Sequence, residues 1–147
     1  MATGIVINGD KRILGKLGAV SGFLRNPKAA FQDIGEYLLE ETDKNFESEG
    51  SRHGQRWARL KQKTLEEKIR LGYGSKQILE RTGTLKKGFE SEVKSISVRI
   101  HNDVPYYKYH QRGDGSLPKR RMLSTPEKVK QEVVDIFRSH VSKKVGV

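Results

Sequence analysis

Hydrophobic residues recur every three or four positions through a long stretch in the first half of the chain, and acidic residues cover the remaining face. The stripe consists of Phe31, Ile34, Leu38, Thr42 and Phe46. It predicts an amphipathic helix over residues 27–49. Asn26 and Pro27 favour a helix start here, because Asn can cap free amides and a proline at the first helical position loses no hydrogen bond.

A second amphipathic pattern lies near the end of the chain and predicts a helix over residues 125–140. Its apolar stripe consists of Val129, Val133, Ile136 and Phe137. Thr125 and Pro126 supply a cap and a first turn for this helix. The tail after His140 is basic, and we expect it to fray.

A weaker helical pattern precedes the long helix, within residues 1–26. Its apolar positions are Ile13, Leu14, Leu17 and Val20. Gly15 and Gly18 each cost about 1 kcal/mol relative to alanine inside a helix, so only a poor helix is predicted. Residues 22–26 then break the pattern.

Alternating apolar and polar positions predict strands in two places. Residues 4–8 form a short opening strand that ends at Asn8-Gly9, a dipeptide that favours a tight turn. Residues 89–102 alternate as a strand pair with a turn near Lys94 and Ser95. The elements together predict an α+β fold, with a small, mainly antiparallel sheet packed by the long N-terminal-half helix and the C-terminal helix.

The stretch between the long helix and the strand pair is predicted to hold loops and short helical turns. Residues 50–56 form a polar loop. Thr64 then caps a short helix that Gly72 and Gly74 stop, and Thr82 caps a further turn.

After the strand pair, Pro105 ends the extended segment. Residues 106–111 predict a short helix, and residues 112–117 predict a glycine-containing loop. With 147 residues, 34% hydrophobic and 32% charged, the chain suits a single domain over residues 1–147, in which residues 50–123 form the middle region.

Charge is unevenly distributed along the chain. The formal net charge is +11, which favours an acidic partner. Residues 31–50 carry seven acids against one base, whereas residues 51–76 carry eight bases against two acids. Opposed patches suit a head-to-tail contact between identical subunits, but a solvated acidic helix beside a basic loop explains these charges equally well.

Composition excludes several classes of protein. Cysteine is absent, so we expect neither a disulfide framework nor a thiolate metal site. No stretch approaches the roughly 18 consecutive apolar residues of a membrane span, and the first residues lack the apolar region of an export signal. We therefore expect no membrane contact.

His110 is the best catalytic candidate, because tyrosines surround it and Asp103 and Asp114 are available as partners. A general base also needs a nucleophile or a metal, and the sequence contains no serine elbow and no cluster of metal ligands. Residues 72–76 lack the spacing of a phosphate-binding loop. We expect no enzyme activity, no catalytic residue, no cofactor and no metal.

Nucleic-acid binding is the alternative, and it centres on residues 106–121. The basic residues there are Lys108, Arg112, Lys119, Arg120 and Arg121, and the aromatic ones are Tyr106, Tyr107 and Tyr109. This mixture suits phosphate contact and base stacking. No helix-turn-helix, zinc-finger or RNA-binding signature accompanies it.

A set of unlike residues is spread through the middle of the chain. Its members are Trp57, Leu60, Thr82, Gly83, Leu85, Tyr107, His110, Gln111, Gly113 and Pro118. In this order they resemble the phage virion morphogenesis family, the tail-completion or head-to-tail joining proteins of tailed bacteriophages. The resemblance covers roughly residues 46–123. We refer to the ten residues named above as the signature set.

The resemblance implies a structural virion protein, a tail completion or tail terminator protein in the neck that finishes the tail and joins it to the head. It implies that the signature set determines the fold. Expected partners are copies of the chain in a ring, hexameric by analogy with the sixfold tail, together with the tail tube and head connector. The chain would assemble in the host cytoplasm and remain in the virion, where passing genomic DNA is a further contact.

The charge pattern adds candidate assembly residues. The acidic candidates are Glu36, Glu40, Asp43 and Glu47, and the basic ones are Arg112, Lys119, Arg120 and Arg121. We expect the acidic helix face to meet basic residues of a neighbour and the exposed basic loop to meet the tail end or an adjoining ring. Reversing the charge of Arg120 and Arg121 is then expected to prevent incorporation without unfolding the protein.

Overall fold

The computed structural model describes residues 11–74 and 77–146 of the chain. The α-helices are α1 (Lys11–Arg25), α2 (Lys28–Glu47), α3 (Gln62–Arg70), α4 (Thr84–Lys87), α5 (Tyr107–Arg112) and α6 (Glu127–Val145). Strands β1 (Phe89–Lys94) and β2 (Ser97–Asn102) pair antiparallel, and a 3₁₀ turn, Ser51–His53, follows α2. The predicted α+β class is confirmed, and the predicted strand at residues 4–8 lies outside the described residues.

The hairpin of β1 and β2 lies directly against α2. Its turn falls at residues 95–96, within one residue of the predicted position. Gly35 permits the close approach of helix and sheet, because a Cβ there would overlap Ser91 Oγ and lie 3.1 Å from Val98 Cγ2. The small residue is therefore needed for packing at this point on α2.

The main hydrophobic core lies where the C-terminal half of α2 meets the sheet and the loops. Its buried members are Phe46, Trp57, Ile78, Leu85 and Met122. The Phe46 and Trp57 rings meet edge to face with 5.2 Å between centroids, and the Phe89 ring lies 5.8 Å from Phe46. Such ring pairs each add about 0.5–1.5 kcal/mol beyond area burial, so one phenylalanine joins the helix, the loop and the sheet.

A second aromatic cluster joins α6 to α1 and α2. The Phe137 ring lies 5.2 Å from the Phe23 ring and 5.9 Å from the Phe31 ring. Phe23 is only 5% exposed. Because this burial offsets the cost of the glycines, α1 continues through Gly22 to Arg25, and the predicted break is wrong for residues 22–25.

Helix α6 extends further than predicted. His140 Nε2 lies 2.6 Å from Asp33 Oδ2 on α2, and this contact ties α6 to the long helix. The helix then continues to Val145, so the predicted end at residue 140 is wrong. The expected fraying of the tail stays a prediction.

Three of the predicted helix caps are wrong. Asn26 and Thr125 lie one position too early, because the prolines that follow them occupy the N-cap positions and no side chain caps either helix. Thr64 lies inside α3, which begins at Gln62 since good helix formers precede the threonine. The observed start of each of these three helices lies within two residues of the predicted start.

The predicted cap at Thr82 is also wrong, because Gly83 occupies the N-cap position of α4 and no side chain caps this helix in the described part of the chain. Thr82 Oγ1 accepts only a long hydrogen bond of 3.4 Å from the Thr84 amide. The other local predictions hold. Helix α5 begins within one residue of its predicted start. Residues 112–117 form an ordered hairpin turn, in which Asp114 and Leu117 exchange main-chain hydrogen bonds of 2.8 and 3.3 Å.

Candidate assembly surfaces

Segment 118–123 runs between α5 and α6 without regular secondary structure. Gln111 holds its far end with three hydrogen bonds. The Gln111 side-chain oxygen accepts from the Met122 and Leu123 amides at 2.8 and 3.1 Å, and its nitrogen donates to the Leu123 oxygen at 2.6 Å. One signature side chain thereby supplies the pairing that a neighbouring strand would otherwise provide.

Two further side chains hold the same segment, and both bind its main-chain oxygens. Trp57 Nε1 donates to the Arg121 main-chain oxygen at 3.0 Å. Asn45 on α2 donates to the same oxygen and to that of Met122, each at 3.1 Å. The backbone at Arg121 is therefore fixed against both α2 and the loop that carries Trp57.

Arg120 is buried, with 6% of its surface exposed. Its guanidinium donates to the Ala58 oxygen at 2.9 and 3.1 Å and reaches the Arg59 oxygen at 3.5 Å. Desolvation by burial lowers the pKa of Arg120. The sequence-based view of Arg120 as an exposed interface residue is wrong, because this side chain fastens segment 118–123 to the loop before α3.

The other signature residues also have structural positions. Leu85 belongs to the core, and Leu60 and Tyr107 pack against it. Gly113 has φ +75°, and a Cβ there would lie 3.0 Å from the Lys119 amide. Pro118 and Gly83 are half-buried, whereas Thr82 is exposed.

His110 does not meet the carboxylates that a catalytic role would require. Asp103 lies 3.3 Å from His101 instead. Burial, with a smaller effect from nearby Arg120, lowers the pKa of His110 and favours the neutral ring. Its Nδ1 is buried and has no hydrogen-bond partner among residues 11–74 and 77–146. Among the described residues, no group of three or more His, Asp or Glu side chains is placed to hold a metal ion.

A cleft of about 950 Å³ lies between the α3–α4 region and α5. Leu60, Leu79, Leu85, Tyr106, Leu117 and Pro118 form part of its wall. Its buried cations already have partners: Lys68 Nζ donates to the Gln77 and Glu80 oxygens at 2.8 and 2.7 Å, and Arg120 bonds the Ala58 oxygen. This cleft therefore contains no free buried cation.

Three exposed cations meet at a shallow groove beside the start of α6. They are Arg112, Lys119 and Arg121, and His53, Gln55, Leu123, Ser124, Thr125 and Pro126 complete its walls. Within the described part of the chain, these three side chains make no ion pair and donate no hydrogen bond. We call this surface the basic groove.

The acidic candidates lie along the outer side of α2. Glu36, Glu40, Asp43 and Glu47 are all exposed. Glu40 pairs with Lys44 at 2.6 Å, whereas the other three have no ion-pair partner in residues 11–74 and 77–146. We call these four residues the acidic stripe.

Glu41 was missed by the sequence analysis, which placed the acids of this helix on its solvated face. The residue is 4% exposed, and Arg52 binds both carboxylate oxygens, at 2.7 and 3.0 Å. The hydrogen bond from Arg52 holds the pKa of Glu41 below its ordinary value. The available signal was spacing, because Glu41 and Asn45 continue the helical face of Ile34.

His53 lies between the buried Glu41 carboxylate and the basic groove. Its Nδ1 lies 2.8 Å from Ser124 Oγ, and its Nε2 lies 3.7 Å from Glu41 Oε2, which is too long for a hydrogen bond. Burial lowers the pKa of His53 and outweighs the attraction of the carboxylate. The polar loop of residues 50–56 is thus anchored to α2 through Arg52 and to Ser124 through His53.

Comparison with known families places these features in context. The family model described as the phage virion morphogenesis family matches residues 7–142, a region that contains the signature set, the acidic stripe and the basic groove. No curated protein and no solved structure matches the chain. No helix in the described ranges is long and apolar enough to cross a membrane. The resemblance is confirmed: the chain belongs to the phage virion morphogenesis family and contributes to building the phage virion.

Proposed function

We propose that the protein completes the phage tail in the neck and joins it to the head, and that it does so without catalysis. The main support is the use of the signature side chains. The polar groups of Trp57, Gln111 and Arg120 are occupied by main-chain atoms of the protein itself. Side chains used in this way hold the backbone in place and thereby fix the shape of the surface.

The proposal includes a location and a set of partners. We place the protein in the virion as a ring of identical copies, expected to be hexameric, between the tail tube and the head connector. The charged surfaces support this view, because the acidic stripe and the basic groove are exposed and largely uncompensated. Unpaired exposed charges of opposite sign suit assembly by surface complementarity.

DNA binding is a second candidate, and the gathering of three cations at the basic groove favours it. The burial of Arg120 removes one of the predicted phosphate contacts. If DNA is the main partner, the purified protein will bind duplex DNA with an affinity that falls steeply between low and physiological salt. A protein that ignores DNA at moderate salt excludes this candidate.

Electron microscopy of a lysate in which the gene is interrupted tests the proposal. We expect filled heads and separate tails in place of whole particles, and overlong tails would indicate that the protein caps the tail tube. Supplying the intact gene from a plasmid is the control, and it should restore whole particles. Normal numbers of infectious particles without the gene would contradict the proposed role.

A further inference from the structure

The acidic stripe and the basic groove lie on opposite sides of α2. Successive helical residues are rotated by about 100°, so the stripe residues fall within an arc of about 60°. Asn45 lies about 170° from the centre of that arc by the same rotation. Its side chain binds the main-chain oxygen of Arg121, whose side chain lines the basic groove.

The position of Glu41 supports the same arrangement of the two surfaces, independently of Asn45. It faces His53, which forms another wall of the basic groove, at 3.7 Å. Glu41 lies about 130° around the helix from the centre of the stripe. The helix body therefore separates the two charged surfaces, and they cannot neutralise one another within a single copy.

The charges on the two surfaces balance. Glu36, Asp43 and Glu47 have no ion-pair partner among the described residues, and neither do Arg112, Lys119 and Arg121. The stripe spans 11 residue steps, which corresponds to about 16 Å of helix. Like charges held this close raise the energy of the isolated protein and favour a partner of opposite sign.

We propose that the acidic stripe of one copy docks in the basic groove of a second copy of this chain. The two surfaces differ and lie on opposite sides, so the contact is heterologous and can repeat from copy to copy until a ring closes. This inference rests on the proposed ring, and it assigns the basic groove to the neighbouring subunit, whereas the charge pattern alone assigned the basic loop to the tail end or an adjoining ring.

The rigid mounting of both surfaces supports this assignment. Helix α2 carries the stripe, and hydrogen bonds from Gln111, Trp57 and Asn45 fix the backbone that carries Lys119 and Arg121. Because this backbone is already fixed, only the side chains lose conformational freedom when they meet a partner, so the entropic cost of binding is reduced.

Charge reversal in solution provides the first test. The stripe variant carries Glu36→Lys and Glu47→Lys, the groove variant carries Lys119→Glu and Arg121→Glu, and a combined variant carries all four changes. Controls are Lys63→Glu and Glu90→Lys, which alter exposed charges outside both surfaces. Self-association is measured by sedimentation over a concentration series at low and moderate salt.

We expect the stripe and groove variants each to associate about tenfold or more weakly than wild type, because attraction becomes repulsion. The combined variant should recover association, and the controls should behave as wild type. Association that is unchanged in either variant, or that is not recovered in the combined variant, would overturn the inference.

Cross-linking in purified particles tests the same contact where solution association is too weak to measure. A zero-length carbodiimide reagent joins Lys119 to a stripe carboxylate only if two copies touch, because one copy holds these groups on opposite sides of α2. We expect links from Lys119 to Glu47 or Asp43. Links from Lys119 exclusively to other virion proteins would overturn the inference while leaving the neck role intact. If the expected links form but the protein lies outside the neck of the particle, the proposed function is overturned instead.

Discussion

The indole nitrogen of Trp57 donates a hydrogen bond to the main-chain oxygen of Arg121 at 3.0 Å. The two residues are 64 positions apart in the chain, yet this bond fixes the backbone from which the exposed Arg121 side chain extends. A buried aromatic side chain thus determines where a surface charge lies. Under the proposed assembly, Trp57 acts indirectly, because it fixes the position of a charged surface.

Arg120 and Arg121 are neighbours with different roles, so substitutions at the two positions should differ in their effect on the free energy of unfolding. Arg120→Ala is expected to lower the free energy of unfolding by about 2–4 kcal/mol, because the Ala58 oxygen loses its charged donor. Arg121→Ala should change it by less than about 0.5 kcal/mol, since only its main-chain oxygen is bonded. Urea denaturation measures both. Equal effects of the two substitutions would contradict the assigned roles.

Gly50 and Gly54 form a matched pair at the two ends of the 3₁₀ turn, with φ +88° and +78°. Gly54→Ala should cost about 1–2 kcal/mol through backbone strain alone, because nothing lies within 4 Å of the added Cβ. Gly50→Ala should cost at least about 3 kcal/mol, because its Cβ would also overlap the Gln55 oxygen and crowd the Trp57 ring. Thermal unfolding of the two variants compares the costs directly, and similar losses would argue against the tight packing of Trp57.

Gln111 should control the order of segment 118–123. Gln111→Leu removes its bonds to the Met122 and Leu123 amides, so we expect these amides to exchange hydrogen about tenfold faster or more. Gln55→Leu is the control, since Gln55 is an exposed residue of the same groove. Amide exchange followed by NMR provides the measurement. Unchanged protection at residue 122 in the Gln111 variant would contradict this account.

Stability should fall as the solution is acidified below about pH 6.5. Burial lowers the pKa of His53 and of His110 in the folded protein from the ordinary value of 6.5, so the unfolded chain binds protons that the folded chain does not. The lowered pKa of Glu41 adds a further loss below its ordinary value of 4.5. Denaturation curves at pH 7, 6 and 5 should show decreasing midpoints. A double variant, His53→Gln with His110→Gln, should show a shallower decline, and an equally steep decline would contradict the assignment.

Periodic patterns predicted the regular elements well. The stripe from Phe31 to Phe46 placed α2 within two residues at each end, and the alternation of residues 89–102 placed the hairpin. These patterns succeed because the helix and strand periods alone decide which residues share a face, and one face of each element is buried. The charge patterns likewise predicted the exposure of the acidic stripe and of Arg112, Lys119 and Arg121.

The errors about burial arose where contacts with residues distant in the sequence determine whether a side chain is buried. Arginine is usually exposed, and only the distant carbonyl groups of residues 58 and 59 make the burial of Arg120 favourable. Glu41 is buried because Arg52 lies beyond the end of the helix and folds back onto it. No local pattern records these partners. The cap errors at Asn26 and Thr125 have a local cause instead, because the prolines directly after them occupy the N-cap positions.

A reconstruction of the neck of the mature particle by electron cryomicroscopy is the most direct test of the proposed role. We expect α2, α6 and the β1–β2 hairpin to fit density in a ring between the tail tube and the head connector. The same fold located only elsewhere in the virion, or absent from purified infectious particles, would contradict the account.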